Sequence, residues 1–259
     1  MELKILFEDA HLLVLYKPAG VPVQSARMGR QDCESMVKNY LYEKNPGKGV
    51  PYLGLIHRLD QPVEGLVVFA KTSMAAAELS RQLQSGQMKK SYLAVRWSVD
   101  NSVKNSSEYG KKCGKVNKNV EKSVENWREK VDFLRKNGKE NCSEIVSEKT
   151  PGAKRAVLRY RILKVQNEQE LVEIQLLTGR HHQIRVQMAG LGTPLVGDRK
   201  YGLKDNVDSV DKSYPALCAY RLEFVHPKTG EPMSFQIAPR NPVFVPYISN
   251  FSLDKECSG

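Results

Sequence analysis

The chain has 259 residues, 41% of them hydrophobic and 27% charged, the balance of an ordinary globular protein with enough chain to bury a core. No apolar run reaches the roughly 18 residues of a membrane span, and the N-terminus lacks a secretory pattern. The formal net charge of +11 and pI near 9.3 favour polyanionic partners through counterion release; nucleic acid comes first, and an acidic membrane surface second, with no amphipathic basic helix to support it.

In chain order, Ile5-Leu6-Phe7 and Leu12-Leu13-Val14-Leu15-Tyr16 flank Glu8-Asp9-Ala10-His11 and predict a hairpin. Lys17-Pro18-Ala19-Gly20-Val21-Pro22 then breaks the strand. Met36, Val37, Tyr40 and Leu41 have helical spacing, and Leu66 to Ala70 reads as a strand buried on both faces. Ser73 is the expected N-cap of a helix carrying Ala76, Leu79 and Leu83, with Gly86 as its stop. A strand follows at Tyr92-Leu93-Ala94-Val95. From about residue 100 to 122 the chain is rich in Lys, Asn, Ser and Glu without apolar periodicity, which predicts a mobile insertion. Trp127, Val131 and Leu134 at i, i+4, i+7 predict a short helix. Strands are expected over Ala156–Val165 and Leu171–Leu177, joined by the turn at Gln166-Asn167-Glu168-Gln169. Ile184, Met188 and Leu191 form a helix face ending near Gly192, and Leu217–Val225 and Met233–Ile237 read as further strands. Strands dominate, so the fold class is α+β with a large mixed or antiparallel sheet, and the whole chain, 1–259, reads as a single domain.

Cys33, Cys113, Cys142, Cys218 and Cys257 are odd in number, with no Cys-x-x-Cys pair. They read as reduced thiols of a cytoplasmic protein. His181 and His182 are adjacent and are expected to point apart on a helix, with no third ligand at suitable spacing, so no metal is expected.

Most of the chemistry lies in Gly54-Leu55-Ile56-His57-Arg58-Leu59-Asp60, running into Gly65-Leu66-Val67-Val68-Phe69-Ala70-Lys71-Thr72. Asp60 is a carboxylate with cationic neighbours just ahead of an apolar strand. It is a candidate nucleophile; in an isolated Arg-x-Asp it would more often cap a turn. Downstream stand Lys89-Lys90-Ser91-Tyr92-Leu93-Ala94 and Thr178-Gly179-Arg180-His181-His182-Gln183-Ile184-Arg185-Val186-Gln187-Met188-Ala189. Gly197-Asp198-Arg199-Lys200-Tyr201-Gly202 and Phe224-Val225-His226-Pro227 follow. These segments, in this order, resemble the motifs of the RluA-type pseudouridine synthases over nearly the whole chain. The chain departs from them at Val63-Glu64-Gly65, where the family usually has Thr-Ser-Gly, and at Gln187, where it commonly has His. Glu64 is expected to place a negative charge near an RNA-facing loop.

The resemblance implies the pseudouridine synthase fold, a central sheet flanked by helices with an active cleft across the sheet face. It also implies a stand-alone catalytic domain without an N-terminal S4 module. The reaction would convert uridine in rRNA or tRNA to pseudouridine, an isomerisation that calls for no cofactor. Asp60 would be the catalytic carboxylate, Arg185 the cation holding it charged, and Tyr92 a stacking and proton-relaying group. On residue pattern alone, Arg185 is equally an exposed helix arginine and Tyr92 a core residue. Arg58 would help extrude the target base, while His57 either contacts a phosphate or fixes its loop. Lys89, Lys90 and Arg180, with Lys17, Arg27, Arg30, Arg199 and Lys200, are candidates to track RNA backbone. The expected state is a cytoplasmic monomer with RNA as partner. The rival reading is a non-catalytic RNA-binding or ribosome-assembly protein on the same scaffold.

Overall fold

The computed structural model describes residues 3–25, 29, 31–47, 49–98, 126–202 and 214–248. The expected insertion at 100–122, with Arg27, Arg30, Cys113 and Cys257, lies outside the described residues. The chain divides into two units: residues up to Tyr92 with Leu217–Arg240, and Leu93–Ala216 with residues 241–249.

In the first unit, β1 (Lys4–Glu8) and β2 (Leu12–Lys17) form the expected antiparallel hairpin. Asp9 closes it by accepting at 2.7 Å from the backbone N–H of His11 and of Leu12. The short β3 (Gly54–Leu55) and β2 both pair antiparallel with β4 (Glu64–Ala70), Tyr16 facing Leu66 and Lys17 facing Gly65. Every residue of β2 and β4 is buried, as continuous apolar runs covered on both faces require. α1 (Cys33–Lys44) begins where Asp32 accepts from Ser35 N at 2.8 Å. α2 (Ser73–Ser85) is capped by Thr72, one residue earlier than expected, because the Thr72 hydroxyl accepts from Ala75 N at 3.2 Å. Gly86 ends it in the left-handed region, at φ 75°.

After β5 (Lys89–Trp97), which begins in this unit and ends in the other, the chain returns as strands later in sequence. The first of these, Leu217–Val225, runs parallel to β4, with Cys218 facing Glu64 and Ala219 facing Gly65. It pairs antiparallel with Pro232–Gln236, so the sheet is mixed. Leu12, Val14, Leu66, Val68, Leu79, Leu222, Phe224 and Phe235 pack into one cluster, each such side chain contributing about 1.5–3 kcal/mol. Gln82 of α2 is fully buried and behaves like a strand partner, donating to Val225 O at 2.8 Å and accepting from Val225 N at 2.9 Å.

The second unit holds an antiparallel sheet of β6 (Arg128–Asn137), β7 (Cys142–Val146), β8 (Lys154–Gln166) and β9 (Gln169–Leu176) in the order β7-β6-β8-β9. The helix expected from Trp127, Val131 and Leu134 is instead β6. Its backbone is committed to β7 and β8, and Val131 is 40% exposed while Leu134 is buried. Pairing on both edges outweighs three apolar residues with helical spacing. The expected β8–β9 turn forms with Asn167 and Glu168 at φ 49° and 61°, both residues left-handed as a tight hairpin needs. α3 (Gln183–Gly190) packs on this sheet, where Leu134, Ala156 and Val186 meet. Arg96 and Glu170 form a buried ion pair at 2.8 Å, with Thr193 also bonded to the guanidinium. A short α4 (Val245–Ile248) completes the described elements, with the two returning strands numbered β10 (Leu217–Val225) and β11 (Pro232–Gln236). Among the described residues, no helix is long and apolar enough to cross a membrane.

Gly65 is the tightest point of the first unit. At φ 140°, a Cβ there would stand 2.6 Å from Ala219 backbone and side-chain atoms on β10. Gly65→Ala is expected to cost at least about 2 kcal/mol through strain and overpacking; an unchanged urea midpoint would contradict this close approach.

Candidate active site

The segment between β3 and β4 presents its residues alternately. Ile56, His57 and Leu59 are buried, Arg58 is exposed and Asp60 is half-buried. The apolar residues anchor the loop, and His57 fixes it from within, its Nε2 accepting from Val68 N at 3.4 Å. Burial first, and the Lys90 charge second, push the His57 imidazole down to about 3. A neutral, buried ring favours the loop-fixing role over a phosphate contact. The Arg58 guanidinium makes no hydrogen bond or ion pair among the described residues and is presented outward.

Asp60 opens a tight turn in which its carbonyl accepts from Val63 N at 3.0 Å. The next residue is clamped from the other side. Gln61 O accepts from Gly20 N, Gln61 Nε2 donates to Gly20 O, both at 2.9 Å, and Lys17 Nζ donates to Gln61 O at 3.1 Å. Lys17 is therefore not on a groove wall, as its place in a basic motif suggested. It is fully buried, and its ammonium also donates to Pro18 O at 3.0 Å and Val21 O at 2.7 Å. Burial lowers its pKa to about 8 against the raising fields of Cys33, Asp60 and Glu64, so it is charged at neutral pH.

Glu64 also differs from expectation. It is 3% exposed, so its charge does not face RNA. Its carboxylate accepts from the Tyr16 hydroxyl at 2.6 Å and from Arg240 N at 3.1 and 3.2 Å. The Arg240 guanidinium lies over the Tyr16 ring, 4.4 Å from its centroid. Tyr92 is 5% exposed, and its hydroxyl is held well above the ordinary phenol range by burial, then by the Asp60 carboxylate and Cys218. It stays protonated at neutral pH. Lys89 is exposed and Lys90 half-buried.

In the second unit, Arg185 on α3 is buried rather than an exposed helix arginine. Its Nε and Nη2 donate to the two oxygens of Asp198 at 2.7 and 2.6 Å, a forked, charge-assisted pair. Asp198 also accepts from Lys200 N and Tyr201 N, and the guanidinium lies 5.2 Å from the Tyr201 ring centroid. His181 and His182 do not point apart. His182 is left-handed at φ 53°, ahead of the helix, and the two rings stack at 3.7 Å. His182 Nδ1 meets the Tyr201 hydroxyl at 2.9 Å, and that hydroxyl accepts from Ser143 N at 2.7 Å. Arg180, Arg199 and Lys200 are exposed; Arg180 donates to Arg155 O and Lys200 to Asn141 O, so both have structural bonds as well. Gln187 is fully buried and donates to Asp132 at 2.7 Å, tying α3 to β6. Sequence reasoning missed the buried roles of Lys17, Glu64 and Asp198, although all three stand inside the quoted motifs or beside them.

His57 and His182 are both lowered to about 3 by burial first, while the unfolded chain protonates histidine near 6.5. The unfolded state thus binds more protons between these limits, and the stability present above pH 6.5 is lost as pH falls towards 3. His57→Gln is expected to flatten part of that decline relative to wild type in urea titrations across this window. An equal slope would show that His57 is not buried neutral.

Residues 11–190 match the RNA pseudouridylate synthase family. An uncharacterized RNA pseudouridine synthase of Bacillus subtilis is 32% identical over 89% of this chain and 66% of its own length. The ribosomal large subunit pseudouridine synthase D of Nitrosomonas europaea is 34% identical over 88% of this chain and 60% of its own. The chain thus spans about two thirds or less of the length of these two relatives. The solved structure of human RNA pseudouridylate synthase domain containing 4 shares the fold, with TM-score 0.67 and 22% identity over 93% of this chain and 90% of that one. The matched segment contains Asp60, Tyr92 and Arg185, and the chain belongs to the RNA pseudouridylate synthase family.

Proposed function

We propose that this chain isomerises uridine to pseudouridine in ribosomal or transfer RNA, with Asp60 as the nucleophile. The observation that carries the reading is the half-buried Asp60 on a clamped turn, its field reaching the buried Tyr92 hydroxyl, within the family-matched segment. Large-subunit rRNA is the favoured substrate, by analogy with the named Nitrosomonas relative. The basic excess supports an RNA partner, and Cys33, Cys142 and Cys218, all free thiols, fit a cytoplasmic protein.

The reaction breaks the N1–C1′ bond, turns the base, and joins C5 to C1′. The C5 hydrogen leaves as a proton and N1 gains one, so nothing is oxidised and no atom is transferred on balance. Asp60 enters ionised, either attacking the sugar or promoting its elimination. Tyr92 contacts the base as a protonated hydroxyl. Arg58, outward-facing, occupies the space left by the extruded uridine, whose unstacking costs a few kcal/mol. Arg185 takes the charge-holding role that the family resemblance gives it, with its orientation fixed by Asp198. Lys89, Lys90 and Arg180 are assigned to the RNA backbone.

Asp60→Asn is expected to abolish pseudouridine formation, mapped on unmodified transcripts, while RNA affinity changes by less than about threefold. Turnover like wild type would rule out Asp60 as nucleophile, whereas RNA binding without turnover in the wild-type chain would favour a binding protein. Arg185→Ala is expected to lower turnover by about a hundredfold or more with a smaller effect on binding; a loss confined to binding would make Arg185 a phosphate contact.

A further inference from the structure

We infer that Lys17 and Glu64 are a pair of positioning residues for Asp60, one buried ammonium and one buried carboxylate acting on it with opposite sign. This rests on Asp60 being the reactive carboxylate. Lys17 has no exposed surface, and its three hydrogen bonds go to the carbonyls of Pro18, Val21 and Gln61. None of these carries a formal charge, so the ammonium keeps its full positive field. That field falls on Asp60 and Glu64, which both act on Lys17 in return, and on the thiol of Cys33 from α1.

Glu64 begins β4, four residues after Asp60. Its carboxylate is held by the Tyr16 hydroxyl and Arg240 N. It draws on the same ammonium as Asp60 does. Lys17 therefore favours the ionised form of Asp60 and Glu64 opposes it, through a low-dielectric interior where such fields are strong. Lys17 also fixes geometry. It bonds the carbonyl of the residue immediately after Asp60, which Gly20 N bonds as well, so the turn cannot drift without breaking a buried charged contact. Among the groups facing this centre are Tyr16 and Lys17 from β2, Cys33 from α1, Glu64 from β4, Tyr92 from β5, Cys218 from β10 and Arg240 after β11.

A purely structural role for either residue would make both substitutions act alike. The opposed-charge role makes them act oppositely. In Lys17→Met the apparent pKa of Asp60, followed by carboxyl NMR and by the acid limb of the rate profile, is expected to rise by about one unit. In Glu64→Gln it is expected to fall by a similar amount. The double variant K17M/E64Q, which removes both buried charges together and protects the fold, is expected to return the pKa towards wild type. Its turnover stays low, because the Gln61 carbonyl has lost its ammonium; about a tenfold loss at unchanged KM is expected from misplacement alone. Shifts of the same sign in the two single variants, or no shift in either, overturn the inference. So does full turnover in K17M/E64Q. NMR shifts of opposite sign in a protein that forms no pseudouridine would uphold the pair and reject the proposed reaction, so the two failures are separable.

Discussion

β4 is buried along its whole length, and that burial governs the site placed at its entrance. A polar group that enters a strand covered on both faces has to be met from within the protein, because water is not there to meet it. The turn that carries Asp60 leads directly into this strand. Its carbonyls are taken up by Lys17, Gly20 and Val63, and Glu64 by Tyr16 and Arg240. The close approach of Gly65 to Ala219 brings β10 against the same point. The backbone that carries Asp60 is thereby held by packing and hydrogen bonds, which is what pre-organisation of a reactive group requires.

The same economy of buried charge recurs in the second unit. Arg96 is paired with Glu170 and Arg185 with Asp198, all four side chains at most 4% exposed. Each guanidinium has further contacts, Arg96 with Thr193 and Tyr160 and Arg185 with the Tyr201 ring. Pairs of this kind add little net stability compared with apolar residues, but removing one partner is costly. Their effect is to fix orientation. In Arg185 that orientation belongs to a residue to which the family resemblance gives a catalytic role.

Much of this was legible in the sequence because it is local. The β1–β2 hairpin, the apolar β4, the periodic faces of α1 and α2 and the β8–β9 turn each declare themselves by spacing and turn chemistry. β6 did not, since Trp127, Val131 and Leu134 satisfy a helical period by coincidence, and the strand is defined by partners as distant as Tyr160 opposite Arg128. β7, Cys-Ser-Glu-Ile-Val, has too few apolar residues to register, and its Ile145 is itself 40% exposed. Asp60, Tyr92 and Arg185 are singled out by motifs. Lys17 and Glu64 were misread because a charged residue in a loop motif is normally solvated. Their burial depends on carbonyls and hydroxyls brought from residues 18, 21 and 61 and from Tyr16 and Arg240, which no local pattern encodes.

The isomerisation has one chemical signature that neither RNA binding nor hydrolysis shares: the hydrogen at uracil C5 leaves for solvent while the RNA chain stays intact. The decisive measurement is tritium release from large-subunit rRNA and tRNA transcripts labelled at uridine C5 and incubated with the purified chain. The account predicts release that saturates at a fixed, small number of uridines per RNA molecule, with the RNA uncut. No release from either RNA at saturating protein would contradict it.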